Sequence, residues 1–354
     1  MKKFFLLFTV IFSSMMVYAQ APNSKEVKAI QAFLNQPSAD GGTNAQALGV
    51  NVSSPATWLG VSWNGGHVTE IDWKDKKLAG VLNLASFKSL KKLDVSRNLL
   101  TGLSVDGCTA LSELNASRNR LTQLKIDGCT VLTKLTVYKN RLLELELSNT
   151  PMLVDVNVSN NHLIDLNVSN AMNLVTLNCQ SNHLETIEVT GCTALKNLYA
   201  GYNKLTTVNL FGLSNLLTLN VDGNEINSMY IANMPALLTL MCSDNNMTSL
   251  VVKNCDILED LICSYNRLTS LEVNGCGKLM FVDCSYNDLS NLNLSNLPLL
   301  QRLLCNNNMI TTLDVSFDMQ LTYINCRNNQ IFDMQTIGCN NLRMIAGEWN
   351  PENM

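Results

Sequence analysis

Thirteen asparagines stand at one fixed interval of 21 residues: Asn98, Asn119, Asn140, Asn161, Asn182, Asn203, Asn224, Asn245, Asn266, Asn287, Asn308, Asn329 and Asn350, with no insertion between any two. A unit this short cannot bury its own apolar face, so a strict period of this kind forces the units to stack and share one continuous core. That overrides the two globular domains that 354 residues would otherwise suggest. Counted from Asn98, the unit reads Leu93, Val95, Leu100, Leu103, Val105, Gly107, Cys108 and Leu111, and the next unit repeats these offsets from Leu114 to Leu132.

The alternation Leu93-x-Val95 is that of a short strand with one buried face. Stacking then lays these strands side by side in a curved parallel sheet on the concave side. A second alternation, at Leu103-x-Val105, Leu124-x-Ile126, Leu145-x-Leu147, Ile187-x-Val189 and Leu271-x-Val273, predicts short strands or 3₁₀ turns on the convex side, with little room for helix. The repeat Asn follows the first strand, where the chain must turn. Its amide carries both donors and an acceptor for backbone groups of neighbouring turns, so the column is predicted to be structural. Residues six and four before each Asn point outward, and those five and three before it point inward; by this rule Asn220 is a dispensable surface residue.

The units match the leucine-rich-repeat pattern from about Ile71 to Asn350. The stretch from Leu261 to Val273, with Cys263, Asn266, Leu268 and Leu271 in register, resembles the cysteine-bearing 21-residue repeats of internalin J-like bacterial surface proteins. The resemblance implies a leucine-rich-repeat solenoid that adheres to or binds a partner at the cell surface. No wall-sorting tail of that family follows the repeats, which leaves the mode of attachment open.

Residues 1–19 read as an export signal: Lys2 and Lys3, an apolar run from Phe4 to Met16, then Val17-Tyr18-Ala19 before a cut at Gln20. That implies an extracellular, cell-surface or periplasmic protein. Its removal takes the net charge from −4 to −6, since residues 1–19 hold two lysines and no acid. An acidic chain with mixed charges argues against a nucleic-acid partner, and no later apolar run has the roughly 20 residues of a transmembrane helix. Residues 20–70 fall outside the period. Val27, Ile30, Phe33 and Leu34 share a helical face, and Trp58-Leu59-Gly60-Val61 with Val68-Thr69-Glu70-Ile71-Asp72 resembles the N-terminal cap of plant-type repeats, leaving a solenoid over 71–354. His67, beside Gly65 and Gly66, reads as a turn residue. Beyond Asn350 the chain ends at Met354 without a capping pattern, which implies frayed last rungs or a truncated product.

Twelve cysteines fall in two columns. Cys179, Cys242, Cys263, Cys284, Cys305 and Cys326 lie three before the Asn, where other units carry Val95 or Val137. Cys108, Cys129, Cys192, Cys255, Cys276 and Cys339 lie ten after it. Both columns read as small buried hydrophobes. Neighbouring strands, about 4.8 Å apart, satisfy the Cα separation for disulfides, but parallel side chains in register point alongside one another, which favours thiols. His162 and His183 follow adjacent repeat asparagines at an offset that elsewhere holds Arg120, Arg141, Lys204 and Arg267, so they read as rim residues. No metal, cofactor or catalytic motif emerges: Asp94, Asp155, Asp260 and Asp283 lie on the outer row of scattered rungs.

The outward rows divide the concave face in two. Lys92, Asp94, Glu113, Asn115, Lys134, Thr136, Asp155, Asn157, Thr176 and Asn178 are all polar. From Met241 onward the rows hold Met241, Ile262, Phe281, Leu304, Tyr323 and Met344, while Tyr202, Tyr265, Tyr286 and Trp349 stand just before the Asn. An apolar patch rimmed by polar residues marks an interaction surface rich in the side chains that interface cores prefer. The candidate ligand site is therefore Met241, Ile262, Phe281, Leu304, Tyr323, Met344, Tyr265 and Tyr286, with a protein as partner. The alternative is a basic rim of Arg97, Arg118, Arg120, Lys139 and Arg141 meeting an acidic protein or an anionic glycan. Exposed Tyr and Asn also suit a carbohydrate-binding surface protein.

Overall fold

The computed structural model describes residues 20–347. The export-signal reading of residues 1–19 and the features at Trp349 and Asn350 lie outside the described residues. The chain opens with helix α1 (Ser24–Leu34), whose N-cap Asn23 accepts from the Lys25 and Glu26 amides at 3.0 and 3.3 Å. Ile30, Phe33 and Leu34 bury one face of α1, and Phe33 stacks on Trp73 at 5.8 Å between ring centres. A one-turn helix, α2 (Asn44–Leu48), follows with a Thr43–Gln46 capping box. Next comes an antiparallel hairpin of Val61–Asn64 and His67–Asp72. Here His67 opens the second strand, the turn itself being Gly65–Gly66, both at positive φ. Buried Glu26 ties α1 to this strand, accepting from the Val68 amide at 2.8 Å and facing His67 Nδ1 at 3.0 Å.

The hairpin seeds the solenoid. Its second strand pairs parallel with Lys92–Asp94, Ile71 opposite Leu93, and each further turn adds one short strand in register to give a 15-stranded sheet. Leu93, Val95, Leu100, Leu103, Val105, Cys108 and Leu111 are all buried, and so are nearly all their equivalents in later turns. On the convex side the second alternation forms strands such as Leu99–Ser104, Asp165–Asn167, Ser249–Lys253 and Ser270–Asn274, grouped in separate sheets of two or three. The turn holding Leu145 and Leu147 departs from expectation: it forms no strand, and neither do residues 207–210. The outer arc of a curved stack is longer than the inner one. Ladder spacing therefore cannot hold across every convex turn, and grooves of about 650 and 420 Å³ open at these two breaks.

The Asn column holds the turns to one another. Asn224 Nδ2 donates to the carbonyls of Val221 in its own turn at 2.9 Å and Ala200 in the preceding turn at 3.1 Å, while its Oδ1 accepts from the Leu205 amide at 3.0 Å. Ala200 also receives Asn203, and Val221 also receives Asn245, so donors and carbonyls alternate without a break. The residue before each Asn is left-handed in turn after turn, with φ between 53° and 63° from Arg97 to Asn328. That conformation costs a residue with a Cβ about 1–2 kcal/mol. It is held because the N–H of that residue reaches a carbonyl of the next turn, as Lys139 does with Ser159 at 3.0 Å.

Two columns do more than their residue types suggest. Four before the Asn, an outward Asp or Asn caps the turn two residues on: Asn157 accepts the Ser159 amide and Asn178 the Gln180 amide. Asn220 belongs to this set. It is 8% exposed and accepts from the Asp222 amide at 3.1 Å, so it is not a dispensable surface residue. Ten after the Asn, the cysteines are donors as well as hydrophobes, with Sγ of Cys108, Cys129 and Cys192 placed 3.1–3.3 Å from carbonyls 24 residues earlier. All twelve cysteines are free, and eleven are buried.

Asn224→Ala strips the Leu205 amide of its only partner in a site closed to water, which costs about 2 kcal/mol. Asn197→Ala, on the outer concave row with no side-chain hydrogen bond among the described residues, changes stability by less than about 0.5 kcal/mol. Urea unfolding of the two variants beside the parent checks this contrast.

Candidate functional site

The outward rows of the long sheet are where the columns differ from turn to turn. In the column six before the Asn, the first five parallel strands carry Glu70, in register with Lys92, then Lys92, Glu113, Lys134 and Asp155, an alternation of sign along the stack. Lys92 pairs with Glu113 at 2.9 Å and Lys134 with Asp155 at 3.8 Å. Glu70, Lys92, Glu113 and Lys134 line a groove of about 440 Å³ together with Asp72, Asp94 and Asn115. Asn115 Nδ2 bonds Asp94 across the turns at 3.0 Å. The lysines of this column are thus paired by the chain itself, and the remaining acids leave the groove net acidic. Reading each column down the stack shows the pattern; reading turn by turn conceals it.

Beyond Asn203 the same face changes character. Met241, Ile262, Phe281, Leu304 and Tyr323 are half-buried along it, and Met344 is exposed. Tyr265 and Tyr286, at 56% and 43% exposure, lie on adjacent turns with rings stacked 4.3 Å apart and 9° from parallel. The left-handed backbone before each Asn places both rings. The residues named from sequence are thus brought together, in three parallel columns: six, four and one before the Asn. Sequence reasoning missed Arg302. It stands between Phe281 and Tyr323 in the column six before the Asn, its guanidinium carbon 5.6 and 5.5 Å from their ring centres. The signal was available: one charge flanked by two aromatics at spacings of 21.

The basic rim is arranged differently. Arg97, Arg118 and Lys139 precede the repeat Asn and Arg120 and Arg141 follow it; all five are exposed, and none joins an ion pair among the described residues. Arg118 lies over Tyr138 at 5.6 Å and bonds its hydroxyl at 3.2 Å, which lowers the phenol's pKa. His162 and His183 are exposed neighbours with ring centres 5.4 Å apart. Among the described residues no three His, Cys, Asp or Glu side chains gather as metal ligands.

No family model and no curated protein matches the sequence. Solved structures do. The functional domain of InlJ from Listeria monocytogenes, which includes a cysteine ladder, is 26% identical over 76% of this chain, with a TM-score of 0.54. The match spans 56% of the InlJ chain. The leucine-rich-repeat domain of APL1B is 22% identical over 74% of this chain and 85% of its own, with a TM-score of 0.57. YopM, a leucine-rich effector protein from Yersinia pestis, is 23% identical over 74% and 78%, with a TM-score of 0.56. The chain is a leucine-rich-repeat solenoid. Its framework closes the stack, and the outward columns differ from turn to turn.

One perturbed carboxylate of this leucine-rich-repeat chain sits off the concave face. Asp318 occupies the column that elsewhere holds cysteine, ten after Asn308, and is fully buried. Its Oδ1 accepts from the Leu297 amide at 2.7 Å, while Oδ2 is buried without a partner. Burial pushes its pKa up to about 7, and Asp314 adds to the rise. Sealed from solvent, this acid bears on stability. A carboxyl whose pKa is higher folded than unfolded stabilises the fold at low pH and loses that contribution as the pH climbs through the folded value. Asp318→Asn keeps the acceptor and removes the charge. The melting temperature of the variant minus that of the parent therefore rises between about pH 4 and 7 and levels off above; a constant difference across that range would count against the assignment.

Proposed function

We propose that this chain is an exported binding protein that docks a protein partner on the C-terminal half of its concave face. Residues 20–70 cap the solenoid in this reading, and residues 1–19 direct export to the cell surface or beyond. The observation that carries the binding site is the change of the outward columns. Paired charges and Asn give way to Met241, Ile262, Phe281, Leu304 and Tyr323, edged by the stacked Tyr265 and Tyr286. None of these side chains belongs to the Leu, Val and Asn framework that closes the core. Aromatic and aliphatic side chains held on a rigid sheet lose little conformational entropy on binding, which is how small patches come to dominate interface energy. Five turns from Met241 to Tyr323 span roughly 19 Å at strand spacing. That is enough for a modest interface.

The test replaces Phe281 and Tyr323 with Ser and follows melting and partner capture together. Binding is expected to fall by at least about tenfold, the loss typical of interface anchors, at an unchanged melting temperature. Early melting would assign the two rings a packing role. Unchanged binding with an intact fold would move the site to the basic rim, whose contacts weaken as salt is added.

A further inference from the structure

We infer that Arg302 is a receptor for a carboxylate, and that the partner docking on this face does so through an extended segment carrying an Asp or Glu side chain among apolar residues. The inference rests on the concave-face reading above and adds the chemistry of the partner.

Three observations carry it. Arg302 is a permanent cation on the outward face of the strand Arg302–Leu304, between Phe281 on the preceding turn and Tyr323 on the following one. Two rings at 5.6 and 5.5 Å hold the guanidinium in place. Ring faces engage the face of a guanidinium and leave its N–H edges to point elsewhere, and those edges match a carboxylate in a bidentate pair. Second, lysines in the same column are neutralised by the chain itself, Lys92 by Glu113 and Lys134 by Asp155. Arg302 has aromatics where those lysines have acids, and it joins no ion pair among the described residues. Third, the acid on the adjoining turn, Asp283, makes no ion pair with Arg302, and its Oδ1 is held by its own turn, accepting from the Ser285 amide at 3.0 Å and the Ser285 hydroxyl at 2.6 Å. What remains is an oriented guanidinium without an ion-pair partner among the described residues, set between two aromatics with Leu304 beside it. Such a site favours an acid with apolar neighbours over a uniformly acidic surface, because the ring edges and Leu304 must also be covered.

The probes are three pools of nine-residue peptides on beads, with Asp, Asn or Lys fixed at the centre and Leu, Tyr, Ser and Thr varied around it. Beads carrying oligogalacturonate form a fourth. Full-length chain is expected to be retained by the Asp pool about tenfold better than by the Asn pool, the discrimination of one charge-assisted pair, and less so at high salt. Arg302→Gln should abolish that preference while keeping its melting temperature; Arg302→Lys, which keeps the charge without the fork, should retain part of it. If the parent holds the Asp and Asn pools equally and Phe281→Ser with Tyr323→Ser lowers both, the carboxylate inference is overturned and the docking face stands. If neither a peptide pool nor oligogalacturonate is retained, or retention ignores the Phe281 and Tyr323 substitutions, the face itself is rejected. Retention by oligogalacturonate alone would assign the carboxylate to a glycan and overturn the peptide assignment.

Discussion

Everything else in this molecule depends on the bond between one asparagine side chain and the backbone of two turns. A stack of 21-residue units has little helix, and its strands are mostly three residues long. The chain therefore turns often, and each turn leaves amides and carbonyls facing the core. A buried group of that kind costs about 1–3 kcal/mol when unsatisfied. The Asn column answers them with one side chain per turn: Nδ2 serves a carbonyl of its own turn and one of the preceding turn, and Oδ1 serves an amide of the preceding turn. Only a side chain with both donors and an acceptor on a short stem meets that need, which is why no other residue type replaces Asn between Asn98 and Asn329.

Once backbone and core are closed by the same few positions in every turn, the outward columns are released from folding, and neighbours 21 residues apart become the units of surface chemistry. Charges of opposite sign at that spacing neutralise one another, as Lys92 and Glu113 do. Aromatics at that spacing stack, as Tyr265 and Tyr286 do. An arginine between two aromatics keeps an unspent charge. The two halves of the concave face thus differ through column content alone, on one backbone.

The period, the inward offsets and the parallel sheet were legible because each is a local pattern repeated in register. The apolar members of the site, from Met241 to Met344, were legible for the same reason: a Leu or Phe in an outward row breaks an otherwise polar pattern. Three things were not. Arg302 is an ordinary surface residue until its neighbours on adjacent turns are read with it. Asn220 and its equivalents look exposed by alternation, yet bend back to cap a turn, a role that depends on the backbone after the strand. The missing convex strand at Leu145 and Leu147 follows from curvature, which no single unit encodes. Asp318 is an intermediate case: an acid in a cysteine column is visible as an oddity, but its orphaned Oδ2 appears only with the turn packed around it.

Residue-resolved hydrogen exchange reaches the central claim directly. The amides of Leu163, Leu184, Leu205 and Ile226 have the Oδ1 of an asparagine in the next turn as their partner, at 3.0–3.1 Å. If the Asn column closes the stack, these four exchange as slowly as the sheet amides of the same turns, such as Thr218 and Thr239. Exchange at the rate of exposed turn amides, with the sheet still protected, would show that the asparagines decorate the turns and that apolar packing alone holds the solenoid together.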